Sequence, residues 1–259
     1  MSENEHTQQH QETEAGGQPE PAMGATGIVR GVAGRHVTAA GVVDLRGVPP
    51  EQVAKIESIE AAGAVLGDEG NREALGRVQI RAAGGVVIVK PDYRVVMAPN
   101  LELSRSMLEA MPAAQKIVLV GIIFIRPEVT PELIAQKFEA VEVVGILMAC
   151  ERALGALFGR AEITGPTISL PDDVGPVVRS IGQSRLDTGY LERLADRTTY
   201  LNVGQTIVAD DVSEDLLDRK ILSYHNVGQT VAPRNLLDLL KARCPTNLGD
   251  FAEAGQHDD

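Results

Sequence analysis

Glycine recurs in near-identical settings along this chain. Ile181-Gly182-Gln183-Ser184, Val203-Gly204-Gln205-Thr206 and Val227-Gly228-Gln229-Thr230 place their glycines 22 and 24 residues apart, each with a leucine twelve residues on: Leu194, Leu216 and Leu240. A unit this short cannot close a core alone, so its apolar faces must stack on neighbouring copies. Val120-Gly121-Ile122 and Val144-Gly145-Ile146 continue the pattern at a spacing of 24, with Leu133 and Leu157 at the plus-twelve place. Ala40-Gly41-Val42, Ala62-Gly63-Ala64 and Gly84-Gly85-Val86 continue it at 22, with Val53 and Leu75. The last three glycines alone say little in a chain holding 26 of them. The leucine spacing turns them into a register of eight coils.

Each unit reads as a strand, a short connection and a helix. Ile117 to Ile125 is an unbroken apolar run rich in β-branched residues, which suits a buried parallel strand. Thr130-Pro131-Glu132-Leu133 supplies a capping hydroxyl, a proline for the first helical turn and an acid near the positive helix end. Asp211-Val212-Ser213-Glu214 offers a second start, with Asp211 and Glu214 at capping-box spacing. Strands are expected near 38–45, 60–66, 78–89, 116–125, 140–149, 199–208 and 223–231. The fold class that follows is α/β, a right-handed solenoid of 22–24-residue strand–helix repeats with a parallel sheet.

This architecture resembles a leucine-rich-repeat-like α/β solenoid of a divergent bacterial type, whose units run to roughly 20–29 residues. The likeness stops at architecture. No unit carries the L-x-x-L-x-L-x-x-N consensus, and Asn202 and Asn226 precede their glycines instead of following strand leucines. No ligand or activity is carried over.

Two stretches break the period: 36 residues separate Gly85 from Gly121, and 37 separate Gly145 from Gly182. Lys90–Leu101 and Gly165–Pro176 are therefore expected as insertions, the second carrying Asp172-Asp173. The net charge of −12 sits in the ends. Residues 1–25 hold five glutamates and residues 249–259 four acids, neither with Lys or Arg, which leaves a near-neutral body of 27 acids and 24 bases. The expected organisation is one solenoid domain over 26–248 between structureless acidic tails at 1–25 and 249–259.

Such a charge disfavours nucleic acid as a partner. An acidic, polar start does not read as a signal peptide, and the longest apolar run, nine residues, is far short of a membrane span, so no membrane insertion is expected. Two cysteines, Cys150 and Cys244, suit a reducing cytoplasm and read as small buried hydrophobes. The chain has no phosphate loop, dinucleotide fingerprint, zinc-protease motif or nucleophile elbow. Asp210-Asp211 reads as helix capping and Asp172-Asp173 as a turn. His225 reads as a partly exposed edge histidine in the last strand. No catalytic residue, metal site or cofactor is expected.

Successive strand residues face opposite sides of a sheet. In the middle coils both sides are apolar: Ile122, Phe124, Ile146 and Met148 on one, Ile123, Ile125 and Leu147 on the other. Helices cover only one side, so the other needs an insertion, a second copy or another partner. In the last coils the position of Ile122 becomes Gln183, Gln205 and Gln229, an amide ladder opposite the hydroxyls Ser184, Thr206 and Thr230. The functional expectation is a non-enzymatic scaffold or protein-interaction module that self-associates through its sheet or stack ends. Ile122, Phe124, Ile146, Met148 and the three glutamines form its surface. The alternative is a solenoid that binds a peptide or glycan, and after it a solenoid enzyme.

Overall fold

The computed structural model describes residues 28–30, 34–82 and 84–255. It is a mixed α/β structure with parallel sheets and no closed barrel. The first part of the chain runs β1 (Ile28–Arg30), β2 (His36–Ala39), β3 (Val42–Asp44), α1 (Pro50–Val53), β4 (Ser58–Ala61), β5 (Val65–Asp68), α2 (Arg72–Leu75), β6 (Gln79–Ala82) and β7 (Val86–Val89). The middle runs β8 (Arg94–Leu103), α3 (Arg105–Ala110), β9 (Gln115–Ile125), α4 (Pro131–Lys137), β10 (Phe138–Cys150), α5 (Glu151–Leu157), β11 (Ala161–Thr164) and β12 (Thr167–Leu170). The last part runs β13 (Val177–Leu186), α6 (Thr188–Arg193), β14 (Thr198–Val208), α7 (Glu214–Lys220), β15 (Ile221–Ala232), α8 (Arg234–Ala242), β16 (Thr246–Asn247) and β17 (Asp250–Glu253).

The continuous sheet expected from the glycine period is not what the chain builds. Its strands form separate small sheets ordered β1-β3-β5-β7, β2-β4-β6, β11-β10-β9-β8 with β12 also on β10, and β13-β14-β15-β16 with β17 also on β15. The strands expected at 116–125, 140–149, 199–208 and 223–231 are present with nearly those bounds, those expected at 38–45, 60–66 and 78–89 are each two strands in separate sheets, and every pairing is parallel. Rungs of this kind bend at a glycine. Gly121 pairs with Gly145 and Gly182 with Gly204, and Gly204 in turn with Gly228. In the first part of the chain the same corner splits each rung into two strands, as at Gly63 between β4 and β5.

Three blocks of stacked rungs result, and the second and third are copies of each other. Val120–Ile146 and Val203–Gln229 correspond without a gap at an offset of 83 residues, and the match extends to details of the backbone. Ala114 and Arg197, 83 residues apart, are the two non-glycine residues with positive φ among those described. Ser104 and Thr130 cap α3 and α4; Asp187 and Ser213 cap α6 and α7 in the same places. Lys137 donates to the carbonyls of Glu109 and Met111, while Lys220 donates to that of Leu194. Both lysines are buried, yet each satisfies carbonyls left over at the end of the preceding helix. The helix start at Thr130-Pro131 is as expected. At the second start Ser213 is the cap. Asp211 instead accepts from the backbone N–H of Thr188, at the start of α6.

Both expected insertions are rungs. Arg94–Leu103 is β8, paired with β9 through a bulge between Ala98 and Asn100, and 161–170 is the rung of β11 and β12 on β10. Ala98 stands where other rungs have glycine, so the glycine register passed over it. The structureless tail expected from 249 is overturned for the residues described. Asp250–Glu253 pairs with β15, because Gly249 extends the glycine column and Phe251 packs on Tyr224, ring centres 6.2 Å apart. Residues 1–25 and 256–259 lie outside the described residues. The extra rung also buries His225, which is 1% exposed and not an edge residue.

Helices and sheet enclose one core per block. In the second, Ile123, Ile125 and Leu147 meet Leu108, Ile134 and Leu157 on the helix side. The opposite side is covered by the neighbouring blocks. Ala64, Leu66, Val87 and Val89, beyond the corners of the first block, pack on Val118, Val120 and Val144, before the corners of the second. Phe124, Met148 and Ile168, beyond the corners of the second, pack on Leu201 and Val203 of the third. The blocks thus dock in one direction. Of the two outer faces left by this series, the first block's carries Thr38, Glu60 and Arg81, all exposed. The third block's carries Gln183 and Gln229, exposed, and Gln205, half-buried.

Candidate functional site

Arg179 is the centre of the most developed cleft. It sits on β13, and its carboxylate partner Glu102 on β8. Both strands are edges: among the described residues β13 pairs with β14 alone and β8 with β9 alone. The cleft between them has a volume of about 710 Å³ and is walled by Asn100, Glu102, Phe124, Arg126, Val177 and Ile181, with Val174-Gly175-Pro176 closing one end. Strand alternation puts Val177, Arg179 and Ile181 on the face that docks against the second block. Only the first rung of that face is charged, because it alone borders the open end.

The guanidinium of Arg179 is largely buried, its side chain 13% exposed. It lies 4.5 Å from the centre of the Phe124 ring, donates to Asn100 Oδ1 at 2.8 Å and pairs with Glu102. Glu102 also accepts from Arg126 at 2.9 Å, and Arg126 reaches Glu128 at 2.9 Å. Burial pulls the pKa of Arg179 down, opposed by Glu102; an arginine stays charged regardless. Two cations and two carboxylates leave the cleft with no net charge but with donors and acceptors on one wall and the Phe124 ring and Ile181 on others. Nothing in the glycine register pointed to Arg179; the signal was a lone arginine three residues before a corner glycine, where the third block's other rungs carry Leu201 and His225.

The residues singled out from sequence do not form one surface. Phe124 and Met148 are 5% and 0% exposed, sealed under the third block. They are a seam within the chain and not a surface for a second copy. The expectation failed because both faces of the middle sheet are covered by blocks of the same chain. Ile122 and Ile146 are half-buried and line an apolar groove of about 420 Å³ between the first and second blocks, with Val42, Ala64, Val120 and Val144. Gln183, Gln205 and Gln229 do form the expected ladder: Gln183 Nε2 donates to Gln205 Oε1 at 2.8 Å, and Gln205 Nε2 to Gln229 Oε1 at 2.6 Å. On the helix side Ser184 and Thr206 are bonded at 2.9 Å. A second amide ladder, buried at Asn202 and Asn226, runs on to the exposed Asn247, each step 2.8 Å, braced by Thr206 and Thr230.

Other titratable groups are structural. Asp172 accepts from the backbone N–H of Arg152 at the start of α5. His225 Nε2 meets Ser223 Oγ at 3.2 Å while its Nδ1 has no hydrogen-bond partner, and burial lowers its pKa to about 4. Cys150 is buried and Cys244 half-buried, both free thiols. Among the described residues no three His, Cys, Asp or Glu side chains are grouped to hold a metal ion, and no helix is long and apolar enough to cross a membrane.

No protein-family model matches the chain, no curated protein matches its sequence and no solved structure matches its fold.

Proposed function

We propose that this chain is a non-enzymatic protein-interaction scaffold, built as three short α/β solenoid stacks, whose binding site is the cleft around Arg179. The observation that carries this reading is the pair of edge strands at the cleft. β8 and β13, each ten residues long, have no strand partner on one side among the described residues, and they flank a space of about 710 Å³. An unpaired strand edge is a template for another chain. Most proteins blunt such edges with charges turned inward or with bulges. β8 has a bulge; β13 has no bulge and no proline, and its inward-turned charge, Arg179, is already paired with Glu102. Backbone pairing supplies affinity in such complexes, and alternate side chains supply selectivity.

Self-association through sheet faces, one form of the scaffold expectation, is disfavoured by the polar outer faces. Thr38, Glu60 and Arg81 at one and the glutamine ladder at the other bury little apolar area, and apolar burial contributes about 25 cal/mol per Å². The reading is therefore a partner-binding scaffold before a self-assembling one.

Cross-linking mass spectrometry on the protein from its native cells, with its native mass, tests this. Cross-links from a second protein to Lys90, Lys116 or the carboxylates Glu102 and Glu128 are expected, with a mass above that of one chain. A lone chain whose added property is turnover of a small molecule overturns the reading.

A further inference from the structure

We infer that β13, and not β8, is the docking edge, and that its occupant is an extended segment of a partner protein that adds as a parallel strand and presents a side-chain amide to Gln183. This inference rests on the scaffold reading and assigns its edge and the chemistry of its partner.

The glycine columns distinguish the two edges. Inside a block the corner must be glycine because the carbonyl of the preceding rung presses on it: a Cβ added at Gly121, Gly145, Gly204 or Gly228 overlaps that oxygen. A first rung feels no such pressure. β8 accordingly carries Ala98, next to a bulge between Ala98 and Asn100, and lacks the glycine corner of the inner rungs. β13 is also a first rung, yet it keeps Gly182 at φ +89°, with no atom within 4 Å of an added Cβ. The space that every inner corner gives to a neighbour's carbonyl is open at Gly182.

The amide ladder gives the partner's chemistry. Each glutamine donates from Nε2 to the next rung, from Gln183 toward Gln229. The ladder's remaining acceptor is therefore Gln183 Oε1, exposed at the β13 edge, where a donor on an added strand can bond it. At the far end the register places Asp250 beside Gln229. A carboxylate accepts only, so the ladder ends there. A second copy stacked head to tail would set Asp250 against Gln183 Oε1, acceptor against acceptor in this amide orientation, which disfavours the chain itself as the occupant. An asparagine or glutamine on a foreign strand supplies the donor. The side chains of that strand before the corner enter the cleft beside Arg179 and Ile181.

The test uses a labelled synthetic peptide with the sequence of Thr199–Val208, the chain's own second rung, flanked by lysines for solubility. It is titrated into the full chain by fluorescence anisotropy, with hydrogen exchange mapped in parallel. Expected are saturable binding and slowed exchange over Val177–Leu186. Affinity should fall about tenfold or more when the peptide carries Gln205→Glu or the protein carries Gln183→Ala, as for loss of one buried-edge hydrogen bond. Gly182→Val should abolish binding; if that variant melts early, Gln183→Ala and the exchange map decide. Protection over β8 instead of β13, undiminished binding to Gln183→Ala, or no protection of β13 at peptide on the order of 1 mM overturns the inference. The scaffold reading fails separately, by the absence of partner cross-links at the cleft.

Discussion

The carbonyl oxygen of Gly204 occupies the place that a Cβ on Gly228 would take. The two residues are paired in register on β14 and β15, and Gly228 has φ +136°, which a branched side chain cannot adopt without strain. Gly228→Val should therefore destabilise by about 3 kcal/mol or more, at the top of the overpacking range. Gly228→Ala should cost nearly as much, since the first added atom already overlaps. Denaturant melts of the two variants check this; an alanine variant as stable as the parent contradicts it.

The buried lysines give a paired prediction. Lys137→Met and Lys220→Met each leave helix-end carbonyls without a donor, which should cost roughly 1–3 kcal/mol apiece. The sites lie in different blocks and share no partner, so the double variant should lose the sum within about 0.5 kcal/mol. Urea unfolding of the three variants measures both size and additivity.

Much of this was legible beforehand, and the reasons for the remainder are specific. Strands were readable because β-branched runs and the corner glycines repeat together, and the ladder because Gln183, Gln205 and Gln229 follow the glycine in every copy. β8 was hidden by Ala98, since a first rung has no steric need for glycine. The division into blocks was hidden because it depends on two places where one rung follows another without a helix between. The 83-residue recurrence that joins Lys137 to Lys220 was present in the sequence, but a search confined to the 22–24-residue period passes over it. Arg179 was invisible because its importance comes from Glu102 and Phe124, 77 and 55 positions away.

Acid should weaken the fold through His225. Its folded pKa of about 4 lies below the ordinary 6.5, so the native state binds fewer protons than the unfolded chain between those values. The contribution is complete above about pH 6.5 and is lost as the pH falls toward 4, amounting to at most about 3 kcal/mol. His225→Leu should flatten the stability profile across that window. A profile of unchanged slope in the variant assigns the acid sensitivity to other groups.

Both faces of the middle sheet lie inside the chain. Ile123→Glu places a charge in the helix-side core and Phe124→Glu places one in the seam against Leu201 and Val203. Each should destabilise by more than about 3 kcal/mol, and neither should yield a folded protein of merely altered mass. Thermal melts with size-exclusion chromatography distinguish the outcomes.

The connections from β7 to β8 and from β12 to β13 contain no helix, and each adds a half-buried side chain, Tyr93 or Val174, to the seam it crosses. Rungs within a block are neighbours in sequence, and their contacts close short loops. The seams between blocks, by contrast, join residues such as Phe124 and Leu201 that are far apart along the chain. Loop-closure entropy places formation of the rungs first and the seams last. Opening runs in reverse, so that amides exchange in three cooperative groups. The lifetime of the closed molecule is thus set at the seam of Phe124, Met148, Leu201 and Val203, which also holds the cleft in shape.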